Sequence, residues 1–121
     1  MWILSEHGFV SLVADRDDPN KLQVRARIAD DIQALLPGVE VQTTTPADYR
    51  YRAVVDKLVV ADRLGDLVLA IGYTSHVKET IAASAPPHPG RLTALYKCWN
   101  ALANLQDLPP CARDWEDEWT R

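Results

Sequence analysis

A chain of 121 residues, 47% of them hydrophobic and 25% charged, is long enough to bury one ordinary globular core. Its net charge of −4 excludes a long-range attraction of the whole chain toward nucleic acid or anionic lipid. The first residues contain no basic leader, and no apolar run approaches the roughly 20 residues that span a bilayer, so we expect a cytoplasmic protein without a membrane segment.

The first half of the sequence carries the patterns of β-strands. Residues 2–14 predict a hairpin, because β-rich runs stand on both sides of the turn Glu6-His7-Gly8. The clearest strand is 21–28, in which apolar and polar residues alternate. One face of this strand holds Leu22, Val24, Ala26 and Ile28, and the other holds Lys21, Gln23, Arg25 and Arg27. Two further strands are expected near residues 39–43 and 49–55.

A short helix is predicted between these strands, with Asp30 and Asp31 in its first turn, where carboxylates suit the positive end of a helix dipole. Its buried residues are expected to be Ile32, Leu35 and Leu36.

Two longer helices follow. The first is expected from Asp56 to about Ile71, and we predict that it is deeply buried, because it is apolar over most of its circumference. Its narrow polar strip consists of Asp62, Arg63 and Asp66. The last helix shows apolar residues at helical spacing, namely Leu92, Leu95, Tyr96, Trp99, Leu102 and Ala103.

Strands in the first half and helices in the second predict an α+β fold. In this fold a small, mostly antiparallel sheet carries its helices on one face, and a ferredoxin-like arrangement is one alternative. We expect a single domain over residues 1–108 and an acidic tail over residues 109–121. The wide apolar arcs of the two longest helices keep a homodimer open as an alternative to a monomer.

Four arginines stand out on the polar faces of the two alternating strands: Arg25, Arg27, Arg50 and Arg52. If these strands are neighbours, the four guanidinium groups lie within about 10 Å of one another. Guanidinium forks bind phosphates and carboxylates, so this patch would hold an anionic ligand, a nucleic-acid backbone or an acidic protein surface. The alternative is a solvated sheet face on which each arginine pairs with a nearby carboxylate.

The end of the sequence combines negative charge with two large aromatic residues. Residues 107–121 contain five acidic and two basic residues, and Trp115 and Trp119 stand one helical turn apart. This pattern is typical of a docking segment, because tryptophans often anchor interfaces. The alternative is a tail that folds back, with its tryptophans over the core of the domain and its acids over the arginines.

The sequence contains few candidates for metal binding or catalysis. The possible metal ligands are His7, His76, His88, Cys98 and Cys111, and none stands at the spacing of a zinc motif. We expect Cys98 to fill a core position as a small apolar residue. There is no nucleophile elbow and no Gly-rich phosphate loop, so we predict no cofactor and favour a protein that is not an enzyme.

Short motifs in the first part of the chain suggest a family. They are Met1-Trp2, Gly8-Phe9-Val10-Ser11, Val24-Arg25-Ala26-Arg27 and Ala47-Asp48-Tyr49-Arg50-Tyr51-Arg52. Together they resemble a family of small uncharacterised bacterial and bacteriophage proteins over about residues 1–78. A Tyr-x-Asn-Phe-Lys-like stretch of that family corresponds here to residues 73–78, which keep Tyr73 and Lys78 but lack the Asn-Phe pair. The resemblance implies a bacterial or phage origin and a cytoplasmic role, without an activity.

These observations lead us to expect a non-enzymatic protein-interaction module. It would bind a host or phage protein through the arginine patch, through the Trp115 and Trp119 tail, or through both, and so modulate a host process such as defence or regulation. The first alternative is a nucleic-acid or nucleotide-binding module that uses the four arginines, against which the acidic pI of about 5.2 counts. The second alternative is an enzyme acting on a small substrate.

Overall fold

The computed structural model describes residues 1–74 and 90–106. Contacts between residues divide the chain into two units, Met1–Val77 and Lys78–Arg121. A single domain over residues 1–108 stays a prediction, and the predicted acidic tail lies outside the described residues.

Five antiparallel strands form one sheet in the order β1-β2-β3-β5-β4. The strands are β1 (Trp2–Ser5), β2 (Gly8–Ala14), β3 (Lys21–Ala26), β4 (Gln42–Thr43) and β5 (Tyr51–Asp56). The predicted N-terminal hairpin is therefore confirmed, and so is the antiparallel α+β fold. The predicted strand 39–43 is shortened to two residues at the edge of the sheet, beside β5.

Two helices of the first unit pack against one face of the sheet. They are α1 (Ala29–Leu35), which follows β3, and α2 (Lys57–Leu69), which follows β5 directly. The resulting order β-β-β-α-β-β-α differs from the β-α-β-β-α-β order of the ferredoxin-like alternative. The second unit contains α3 (Arg91–Ala103), as the apolar spacing of that segment predicts.

The hydrophobic core lies between the sheet and these two helices. It contains Val10, Leu12, Val24, Ala26, Ile32, Leu35, Leu36, Ala53, Val55 and Val60. The alternation predicted for β3 is confirmed, because Val24 and Ala26 are buried in this core while Arg25 between them projects from the opposite face. That opposite face is called the outer sheet face below.

Asp31 has a role that its position at a helix start does not reveal. Its side chain is only 3% exposed, and its Oδ2 atom accepts a hydrogen bond from the backbone N–H of Phe9 at 3.1 Å. Because Phe9 belongs to β2, this bond ties the start of α1 to the N-terminal hairpin.

Substituting Asp31 with alanine removes an acceptor from this partly buried N–H group. We expect the free energy of unfolding to fall by about 1–3 kcal/mol, the usual cost of an unsatisfied buried donor. Urea denaturation followed by circular dichroism measures this loss. The control is Asp30→Ala in the same helical turn, because Asp30 is exposed and its loss weakens the dipole interaction to a similar degree. Equal losses in the two variants would show that the hydrogen bond to Phe9 contributes nothing.

The deep burial predicted for the long helix is wrong. Val60 is the one buried residue of α2, whereas Leu58 is 79% and Leu69 86% exposed. Arg63, which the sequence placed on a solvated strip, is half-buried, and its Nε donates a hydrogen bond to the carbonyl of Leu35 at 2.7 Å. A small sheet covers only one arc of a helix, and Arg63 shares that arc with Val60 because the two are three residues apart.

The structure of α3 corrects one further prediction, the placement of Cys98 in the core. The helix begins after Gly90, whose φ of +82° suits a residue without a side chain, and it buries none of its residues. Cys98 is exposed and does not fill a core position. Within residues 1–74 and 90–106, no helix is long and apolar enough to cross a membrane.

Candidate binding site on the outer sheet face

The register of β3 and β5 brings two arginines together. The strands are hydrogen-bonded neighbours, and Arg25 lies directly opposite Arg52. Residues that are directly opposite in an antiparallel pair project from the same face, and like charges there destabilise the pair. The fold therefore keeps two positive charges side by side, although their repulsion destabilises this strand pair.

Tyr49 joins these arginines into one cluster. The Cζ atoms of Arg25 and Arg27 lie 4.6 Å and 4.5 Å from the centroid of its ring. Its backbone carbonyl accepts a hydrogen bond from Nε of Arg52 at 3.2 Å. The arginine–tyrosine cluster consists of Arg25, Arg27, Arg52 and Tyr49. Cations over an aromatic face are attracted by the ring quadrupole, so Tyr49 partly offsets the repulsion between its arginines.

The sequence did not predict that Tyr49 would be buried on the outer sheet face. The predicted strand 49–55 placed Tyr49 among the apolar residues that face the core. In the structure β5 begins only at Tyr51, so Tyr49 does not follow the strand alternation. Its side chain is 4% exposed but is absent from the core cluster, because the arginines cover it instead. One feature of the sequence could have indicated the contact between Tyr49 and the arginines, namely an aromatic residue next to two arginine-containing strands.

Ser11 fixes the position of one guanidinium group. Its hydroxyl oxygen accepts a hydrogen bond from Nη2 of Arg25 at 2.8 Å, and its side chain is buried on β2. The Nε atom of Arg25 is also buried and has no acceptor among the described residues. Arg25 is thus held in place by Ser11 and Tyr49 while it retains unused hydrogen-bond donors.

The described residues do not show the pairing expected of a solvated sheet face. No carboxylate within residues 1–74 or 90–106 forms an ion pair with any of the four arginines, whereas His7 and Glu6 lie 3.8 Å apart. Arg50 precedes β5 and is exposed, and its side chain forms no hydrogen bond, ion pair or ring contact with a residue of these ranges. The structure therefore brings together three of the four arginines.

An aromatic and apolar area borders the cluster on the same face. The register aligns one residue from each strand in a row across the sheet: Trp2, Ser11, Arg25, Arg52 and Gln42. Trp2 is 74% exposed, and its ring meets that of Phe9 edge-on with centroids 5.8 Å apart. Leu4 and Val54 are also exposed. The row spans about 19 Å at the usual strand spacing, which suits an extended ligand better than a single small ion.

The other candidate residues within the described ranges form no comparable site. His7 lines a cavity of about 10 Å³ together with Ser5 and Asp31, which is room for one water molecule and not for a substrate. No group of three potential metal ligands occurs in the described ranges. Trp115, Trp119, His76, His88 and Cys111 lie outside the described residues.

Comparison with known proteins finds no matching family, no similar curated protein and no similar solved structure. The outer sheet face is the candidate functional site, because its arginines form no ion pair with the described residues and its Trp2 is exposed.

Proposed function

We propose that this protein is a non-enzymatic interaction module that binds an acidic segment of a partner protein through its outer sheet face. The observation that carries the proposal is the directly opposed pair Arg25 and Arg52, which has no carboxylate partner among the described residues. A carboxylate from outside would relieve the repulsion between the two guanidinium groups. Arginine is suited to this role because its planar fork matches a carboxylate in two parallel hydrogen bonds.

The neighbouring apolar side chains indicate what else the partner segment contains. Trp2, Leu4 and Val54 are exposed beside the cluster, and tryptophan and arginine are the residues that most often dominate binding energy at interfaces. We therefore infer a segment in which acidic residues stand next to apolar ones. An extended strand of that composition would lie along the row of outer-face residues.

The second candidate function is binding of single-stranded nucleic acid. Trp2 supports it, because an exposed aromatic ring in the same row as arginines can stack a base while the guanidinium groups contact phosphates. The net charge of −4 opposes it, because a polyanion is repelled by the remainder of the chain. A short acidic segment meets less of that repulsion, so we favour a protein partner.

The proposal also includes the origin of the protein, its location in the cell and the kind of process that it affects. The resemblance of its short motifs to those of small bacterial and phage proteins supports a bacterial or bacteriophage origin and a cytoplasmic role. The partner would then be a host or phage protein, and its capture would modulate a process such as defence or regulation.

The double substitution Arg25→Gln and Arg52→Gln tests the proposal. The probe is a short fluorescent peptide in which glutamate alternates with leucine, and fluorescence anisotropy measures its affinity. We expect the affinity to fall about 30-fold or more, because the loss of even one charged anchor at an interface centre commonly costs about 2 kcal/mol. The matched control is Arg16→Gln, which removes an exposed charge from the turn between β2 and β3 and should leave the affinity unchanged.

Two outcomes would contradict the proposal. Equal weakening by Arg16→Gln would assign the binding to overall charge and not to the cluster. Binding of labelled single-stranded RNA or DNA in preference to the peptide, with an affinity that falls steeply with salt, would establish the nucleic-acid function instead.

A further inference from the structure

The side of α2 that faces away from the sheet carries an apolar stripe. Its residues recur at helical spacing and are all exposed, and they are Leu58, Ala61, Gly65, Val68 and Leu69. This stripe is called the α2 outer face. It is separate from the arc by which α2 contributes to the core, which contains Val60, Leu64 and Leu67.

The shape of the α2 outer face suits another helix. Leu58 stands at one end and Val68 and Leu69 at the other, while the middle holds only the small residues Ala61 and Gly65. A side chain added at Gly65 would meet no atom within 4 Å, so the space above the middle of the helix is open. Ridges of a second helix pack into such a hollow, and small residues there let the two axes approach closely.

The charges along one border of this face are uncompensated within the described chain. Asp62 and Asp66 are exposed and four residues apart, a spacing at which like charges on a helix repel. The nearest cation on the helix, Arg63, turns inward to the carbonyl of Leu35. Neither carboxylate forms an ion pair with any residue of the described ranges.

We propose that the α2 outer face binds an amphipathic helix of a partner protein whose apolar stripe is bordered by lysine or arginine. Cations at that border would offset the repulsion between Asp62 and Asp66, and the large side chains of the incoming helix would fill the hollow at Gly65. A second copy of this chain is a poorer occupant. In a symmetric antiparallel pairing of two α2 helices, Asp62 of one copy would face Asp66 of the other.

This surface does not depend on the arginine–tyrosine cluster. The core lies between α2 and the sheet, so it separates the α2 outer face from the outer sheet face. One face therefore favours a basic ligand and the other an acidic one. A protein with both surfaces can hold two partners of opposite charge at the same time.

The test uses the full chain and two labelled helical peptides. Both carry the same leucine stripe, which is bordered by lysine in one peptide and by glutamate in the other. We expect the lysine peptide to bind about tenfold or more tightly than the glutamate peptide, a difference of the size that complementary border charges produce. The double reversal Asp62→Lys and Asp66→Lys should invert this preference. The matched reversal Asp17→Lys and Glu40→Lys, at exposed positions outside α2, should leave it unchanged.

A second variant tests the hollow without endangering the fold. Gly65→Gln places a polar side chain in open space, so the domain stays folded while the incoming helix is kept at a distance. We expect it to abolish binding of the lysine peptide, and we expect Arg25→Gln with Arg52→Gln to leave that binding intact. Unchanged affinity in the Asp62→Lys, Asp66→Lys variant or in Gly65→Gln would overturn the proposal. So would a homodimer in light scattering that Gly65→Gln dissociates, because the face would then belong to a second copy.

Discussion

Substituting Ile32 with alanine will lower the free energy of unfolding by about 2–5 kcal/mol, the usual range for truncating a fully buried isoleucine. Ile32 is completely buried and belongs to α1, a helix of only seven residues. Such a short helix has little stability of its own, because forming its first turn is unfavourable. Few residues follow whose hydrogen bonds could offset that unfavourable free energy. Loss of this side chain therefore removes much of what holds α1 to the sheet. Urea denaturation followed by circular dichroism measures the change.

Leu58→Ala is the matched control for Ile32→Ala. Leu58 is a comparable aliphatic residue on a helix, but it is 79% exposed. Its truncation should change the free energy of unfolding by no more than about 0.5 kcal/mol, as is usual for surface positions. A loss as large as that of Ile32→Ala would contradict the exposure of the α2 outer face and, with it, the availability of that surface to a partner.

Substitutions of Tyr49 have the second-largest expected effect, because they act on stability and on binding together. Tyr49→Ala should lower the free energy of unfolding by about 3 kcal/mol or more, as expected for removal of a buried aromatic ring. It should also weaken binding of the acidic peptide, since Arg25 and Arg27 lose the ring that holds their guanidinium groups. Denaturation and fluorescence anisotropy measure the two effects on the same variant.

Two milder variants separate these effects. Tyr49→Phe keeps the ring and should retain both stability and peptide affinity. Tyr49→Leu keeps apolar volume but loses the ring quadrupole, so we expect it to recover part of the stability and little of the affinity. If Tyr49→Leu bound the peptide as well as Tyr49→Phe does, the ring would have no part in positioning the arginines.

Under the two proposals, the first unit would bind two partners through separate surfaces. The outer sheet face combines cations with Trp2, and the α2 outer face combines apolar residues with Asp62 and Asp66. In both places like charges stand side by side without a counterion among the described residues. Such positions lower the stability of the isolated chain, which is a cost that binding of a complementary partner would offset.

Local periodicity determined much of the fold from the sequence alone. The alternation along residues 21–28 correctly indicated that Val24 and Ala26 face the core and Arg25 does not. The gathering of strands in the first half of the chain and helices in the second likewise indicated an antiparallel α+β fold. These predictions succeeded because successive side chains of a strand point to opposite faces. The apolar face can therefore be identified from every second residue.

The candidate site needed the tertiary structure, because its residues come from three separate strands and from the segments after β3 and before β5. Nothing in a single sequence states that β3 and β5 are neighbours, which is what places Arg25 opposite Arg52. Tyr49 left the predicted strand because β5 starts two residues later than its alternation suggests.

The orientation of α2 was also decided only by the fold. The helix is apolar on several sides, so its composition could not indicate which arc meets the sheet. The small sheet covers one arc, and the arc it covers includes Arg63 because the Leu35 carbonyl lies within reach of that guanidinium group. The sequence thus determined which residues are apolar and which elements they form. Packing, with the limited area of a five-stranded sheet, determined which of those residues remain available to a partner.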